Sequence, residues 1–112
     1  MSGPRTPDPR PGPVTSPAEW EFVAEVWLAE GGSWAFATVP AEVDADIRVL
    51  SGPRSGFGSV RVEVVLGSTT WRTSVFPDRV RGFVLPLKQQ VRRTEGVDVG
   101  DRVHLRLSLW QA

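Results

Sequence analysis

The residues in this chain that could do chemistry are few, and their spacing limits what that chemistry is. The only histidine is His104, between Val103 and Leu105, an outward position in an apolar strand pattern. A serine nucleophile needs a base within hydrogen-bond reach and a third group to orient that base. Ser59, Ser74 and Ser108 offer the hydroxyl, but no motif around them supplies the partners. His104 therefore reads as a solvent-facing strand residue, and no enzymatic activity is expected. The chain has no cysteine, which removes disulfides, thiolate nucleophiles and sulfur-ligated zinc. Glu42, Asp44 and Asp46 are spaced two apart in a helical pattern, so they fan around the axis instead of converging on a cation. Neither a metal nor a cofactor is expected.

Three constellations point to binding instead. The segment SGPRSGFG (Ser51–Gly58) carries three glycines, and such backbones can form anion nests. It has neither the Walker nor the dinucleotide spacing and leads into a strand, so a tight connection is the better reading. Arg61, Arg102 and Arg106 fall on outward strand positions. If the last strand neighbours the Val60 strand, they form a basic stripe suited to nucleic-acid phosphates. Glu63, Asp78, Glu95, Asp98 and Asp101 are interspersed, however, and 13 basic residues balance 13 acidic ones. Charged faces that keep a small barrel soluble explain the same residues, so nucleic acid is the alternative reading. Third, Trp34, Trp71, Phe57 and Phe76 are aromatic enough to line a small-molecule pocket. Lys88 and Arg92, four apart, would share a helix face and receive an anionic group. The proposed ligand site is Trp71, Lys88 and Arg92, against the plainer reading of core tryptophans and solvated cations.

These residues must be positioned by a modest number of elements. Six of the ten prolines lie in MSGPRTPDPRPGPVTSPA, where they remove backbone donors and fix φ, so residues 1–18 are expected to form a disordered tail. Residues 19–112 hold all five tryptophans and all five phenylalanines, enough apolar surface for a single small core. Trp20, Phe22, Ala24, Val26 and Leu28 alternate as a half-buried strand does, and Gly31-Gly32 turns into a strand over Ser33–Val39. Pro40 opens a helix over Ala41–Leu50, where Val43, Ile47 and Leu50 make one apolar stripe. Ser59–Leu66 and Thr69–Phe76 pair across Gly67-Ser68, and Pro77-Asp78 breaks the second of these. Gly82–Leu85 is a strand, Pro86 opens a second short helix over Leu87–Arg93, Gly96 stops it, and Asp101–Trp110 closes the domain. The order strand, proline, helix, glycine, strand thus occurs twice, at Pro40 and Gly58 and again at Pro86 and Gly100. Two such β-α-β halves close as a small barrel about a pseudo-twofold axis. The apolar runs are far short of the roughly 20 residues needed to span a bilayer. The N-terminus has no apolar secretory segment, so a cytoplasmic location is expected.

Four blocks in order, WAFATVPAEV (Trp34–Val43), SGFGSVRVEVVLG (Ser55–Gly67), WRTSVFP (Trp71–Pro77) and LPLKQQVRRTEGVDVGDRV (Leu85–Val103), resemble a bacterial family known as domain of unknown function 1905. The resemblance covers Phe22 to Leu109. It implies a mainly β fold: a small six-stranded double-split β-barrel with two short helices, related in architecture to the two-chain barrels of bacterial transition-state regulators and antitoxins. It implies no catalytic or binding residue. The combined expectation is a monomeric, non-enzymatic module that binds a small anionic ligand or a protein partner.

Overall fold

The computed structural model of the chain describes residues 18–51 and 58–110. The Pro-rich tail and most of the SGPRSGFG segment, including Arg54 and Phe57, lie outside the described residues. Eight elements follow in order: β1 (Glu19–Leu28), β2 (Ala35–Thr38), α1 (Ala41–Ser51), β3 (Val60–Leu66), β4 (Thr69–Asp78), β5 (Gly82–Leu87), α2 (Gln89–Glu95) and β6 (Arg102–Leu109). The strands close an all-antiparallel barrel in the order β1-β2-β5-β4-β3-β6. Period-two alternation puts Phe22, Ala24 and Val26 of β1, Val60, Val62, Val64 and Leu66 of β3, and Val103, Leu105 and Leu107 of β6 into one core. Val43 and Ile47 of α1 and Val91 of α2 join it, each helix burying one stripe.

The pseudo-twofold relation is present, but each half is a β-β-α-β unit: β1-β2-α1-β3 and β4-β5-α2-β6. Strands β2 and β5 meet at the axis, as do β3 and β6. The glycine landmarks hold, since Gly58 and Gly100 both stand two residues before their strands, at φ 82° and 98°. The proline landmarks do not. Pro40 supplies the carbonyl that accepts the first α1 hydrogen bond, from Asp44 N–H at 2.8 Å; the counterpart in α2 is Lys88, accepting from Arg92 N–H at 3.0 Å. Pro40 therefore corresponds to Lys88, and Pro86 corresponds to Thr38.

Pro86 opens no helix; it is the fifth residue of β5, and helix α2 begins at Gln89. Pro77 and Asp78 do not break β4 but belong to it. Both prolines are tolerated because the ladder ends on the side their nitrogens face. Phe83 O accepts Val39 N–H, so odd-numbered residues of β5 bond towards β2 and Pro86 faces β4. The β4–β5 pairing stops at Phe76 opposite Val84, short of Pro86. On the other side β3 starts only at Val60, opposite Val75, so Pro77 lies past its end.

Candidate functional site

Strand β5 is anchored to helix α1 as well as to its neighbouring strands. Asp44, 9% exposed, accepts the Phe83 N–H on Oδ2 at 2.7 Å and the Arg48 Nε–H on Oδ1 at 2.5 Å. The Arg48 guanidinium then lies 4.5 Å above the Phe83 ring, a cation–π contact that covers the ring from the helix side. Gly82, at φ +80°, is the residue that lets Asp44 approach: a Cβ there would collide with Asp44 Oδ2. One carboxylate thus fixes both the start of β5 and the face that β5 turns outward.

That outward face carries a cleft of about 510 Å³, lined by Trp34, Phe36, Thr73, Phe76, Pro77, Asp78, Val84, Pro86 and Lys88. Val84 and Pro86 form its floor. Phe36, opposite Pro86, stands on the β2 side, and Phe76, opposite Val84, stands on the β4 side. Trp34 is 56% exposed and Phe76 40%. The cleft exists because the two halves differ at matching positions. In the first half, Trp27 stacks on Phe36 at 5.2 Å and donates its Nε1–H to Thr38 Oγ1 at 3.0 Å. Arg81 covers Trp27 from outside at 3.9 Å. In the second half Trp27 is matched by the smaller Phe76, and Thr38 by Pro86, which has no hydroxyl. The space that Trp27 fills beside β2 stays open beside β5.

The charges at the rim are unequal. Asp78 Oδ2 accepts the N–H groups of Val80 at 3.0 Å and Arg81 at 2.8 Å. The Arg81 and Val80 N–H groups hold its carboxyl below the usual carboxylate value. Lys88 is exposed and has no carboxylate partner among the described residues. The positive charge is therefore the one left unsatisfied.

A protein-family profile described as domain of unknown function (DUF1905) matches residues 22–107. The chain belongs to this family. No curated protein matches it. Membership fixes the DUF1905 barrel as the frame for the side chains and assigns a role to none of them. Among the described residues of this DUF1905 domain, no group of three His, Cys, Asp or Glu could hold a metal ion, and no helix is long and apolar enough to cross a membrane.

The structure separates the three residues expected to form a ligand site. Lys88 lines the apolar cleft, together with Trp34 and Phe76. Arg92 lines a different, polar depression with Gln89, Arg93, Gly96, Val97 and Asp98, and its Nε–H is held by Leu87 O at 3.0 Å. Trp71 faces inward opposite Val64 and packs on the core. Its buried Nε1–H finds no acceptor among the described residues. Lys88 is not in α2 but caps its start, with extended ψ of 147°. Phe36, Val84 and Pro86 escaped sequence reasoning because each belongs to the cleft only through cross-strand register.

The basic stripe has the expected backbone: β6 does pair with β3. Its charge is another matter, because β1 lies on the other side of β6 and brings Glu19, Glu21 and Glu25 opposite Ser108, Arg106 and Arg102. Arg106 donates two hydrogen bonds to Glu21 Oε2, at 2.8 and 2.9 Å, and lies 3.8 Å from Glu19. Arg106 lowers the Glu21 pKa through those bonds and its charge, with a smaller contribution from His104, 3.8 Å away. Arg61 packs over the Trp110 ring at 5.4 Å, beside Arg72 at 4.4 Å. Arg102 and Arg106 thus face a row of carboxylates, a poor start for counterion release from DNA.

Proposed function

We propose that this domain is a non-enzymatic binding module and that it holds a small anionic ligand in the cleft on the outer face of β5. The observation that carries the reading is an apolar concavity of about 510 Å³ in which the Lys88 ammonium has no carboxylate partner among the described residues. Its size falls within the roughly 300–1,000 Å³ of small-molecule sites, and aromatic walls with a few polar groups at the rim are the usual lining. The reading includes a monomer acting in the cytoplasm. Arg92 is not part of this site.

The symmetry of the barrel supplies the test. Phe76→Trp places in the second half the residue that fills the first, so it closes the cleft without touching the core. A metabolite panel is screened by intrinsic fluorescence, which Trp34 reports from the cleft wall. A ligand found in this way loses its signal with Phe76→Trp, weakens with Lys88→Ala and is unchanged with Arg92→Ala. A panel without hits, or a hit indifferent to Phe76→Trp, refutes the assignment.

A further inference from the structure

We infer that the ligand is an elongated monocarboxylate, an unbranched apolar chain lying along β5 with its single anionic group at Lys88. This rests on the binding reading above and adds length, direction and charge number to it. Asp78 pairs with Gly82, and Lys88 follows Gly82 by six positions along a nearly extended chain. At strand rise the backbones of the two charged residues stand roughly 20 Å apart. Between them the outward side chains of β5 are Val84 and Pro86, flanked by Phe36 and Phe76, with Thr73 the one polar side chain. The site is therefore long, apolar in the middle and oppositely charged at its ends.

Each end rejects something. Lys88 offers a compact point charge, suited to one carboxylate and not to the paired geometry that a guanidinium provides. At the far end Asp78 is ionised, and a second anion there would meet its charge beside an apolar wall. The Arg81 charge reaches Asp78 and offsets part of this, but its guanidinium is stacked on Trp27 and does not line the cleft. A peptide strand is disfavoured for a separate reason. The floor offers no ladder to extend, since Pro86 has no N–H and the β4–β5 pairing has already ended at Val84.

Octanoate, octanol and suberate distinguish these points, titrated into the full chain at low ionic strength and followed by ¹H–¹⁵N NMR at the Trp34 indole and the Val84 amide. Octanoate binds tightest. Octanol, lacking the charge, and suberate, carrying a second one, are each about fivefold weaker, the scale of an exposed ion pair. Lys88→Gln erases the octanoate–octanol difference, and Asp78→Asn erases the octanoate–suberate difference. Salt at about 0.5 M erases both in the unaltered chain, a control free of any effect of substitution on the β4–β5 turn. Equal binding of all three overturns the inference while leaving the cleft a binding site. Octanoate binding that persists in Phe76→Trp places the ligand elsewhere and overturns both. Failure of all three probes to shift either resonance also overturns both.

Discussion

Replacing Asp44 tests whether one carboxylate organises the cleft strand. Asp44→Ala removes the acceptor of the Phe83 N–H and the partner of Arg48. A hydrogen bond to a charged acceptor contributes about 1.5–3 kcal/mol net, and an i,i+4 ion pair on a helix about 0.3–0.5 kcal/mol. The expected loss is about 2.5 kcal/mol, which lowers the melting temperature of a domain this size by roughly 10–20 °C. Asp44→Asn keeps an acceptor without the charge and loses about 1 kcal/mol. Gly82 turns this into a coupling measurement. Gly82→Ala suffers twice, from a left-handed φ costing about 1–2 kcal/mol for a residue with a Cβ and from the collision with Asp44 Oδ2. In the Asp44→Ala background only the first cost remains, so the double variant is more stable than the sum of the singles by about 1 kcal/mol. Urea denaturation of the four proteins, followed by fluorescence, completes the cycle. An Asp44→Ala loss below about 0.5 kcal/mol, within the range of ordinary surface substitutions, refutes the anchoring argument. So does a Gly82→Ala cost that is the same in both backgrounds.

Two further outcomes follow from the other carboxylates. Glu95 of α2 accepts the hydroxyls of Ser68 at 3.2 Å and Thr69 at 2.5 Å, so Glu95→Ala should loosen the β3–β4 hairpin and cost about 1 kcal/mol by thermal melting. Gly67→Ala, whose Cβ would strike Glu95, should be less harmful in that variant than alone; an unchanged cost would argue against the contact. Glu21 has its pKa lowered by Arg106, so its contribution to stability is present above its unfolded value and is lost as pH falls through the folded one. Glu21→Gln should thus be less stable than the parent at pH 7 and equal to it once the pH has fallen well below the folded-state pKa of Glu21, and a gap that persists in acid would disprove the linkage.

The alternation of Val60, Val62, Val64 and Leu66, and of Val103, Leu105 and Leu107, makes the barrel legible in the sequence, because burial on one face of a strand imposes a period of two. Gly58 and Gly100 mark the matching strand starts for another local reason, the positive φ of 82° and 98° that each adopts. Pro86 misleads because the ban on proline in a strand concerns the neighbour on its donor side, and no local pattern records where β4 stops pairing. Aligning Pro86 with Pro40 errs by two residues relative to the Lys88 match. A slip of two preserves which side chains point inward, so the fold survives the error. The site does not survive it as well. Lys88 does line the cleft, although the helix face expected to join it to Arg92 does not form: Arg92 is turned towards another depression and Trp71 into the core. The neutralisation of Arg106 by Glu21 spans 85 positions, a pairing fixed only when β1 and β6 close the barrel.

The two halves use the same device for stability and different devices at the surface. Each helix delivers one carboxylate to a glycine-containing turn: Asp44 to Gly82, and Glu95 to Gly67. The strand register between β2 and β5 and between β3 and β6 holds the halves in matching positions, so differences between matched outer residues change the surface without changing the frame. Trp27 against Phe76, Thr38 against Pro86 and Pro40 against Lys88 are three such differences, and all three fall on one face. The first two open a hollow in the second half, and the third places a cation at its rim. A two-chain barrel of identical halves would carry both copies of whatever it had, two filled grooves or two open ones. Joining the halves in one chain frees one copy to pack against itself and leaves the other as a single, directional hollow. That asymmetry suits a small ligand with distinct ends better than a duplex read by symmetry.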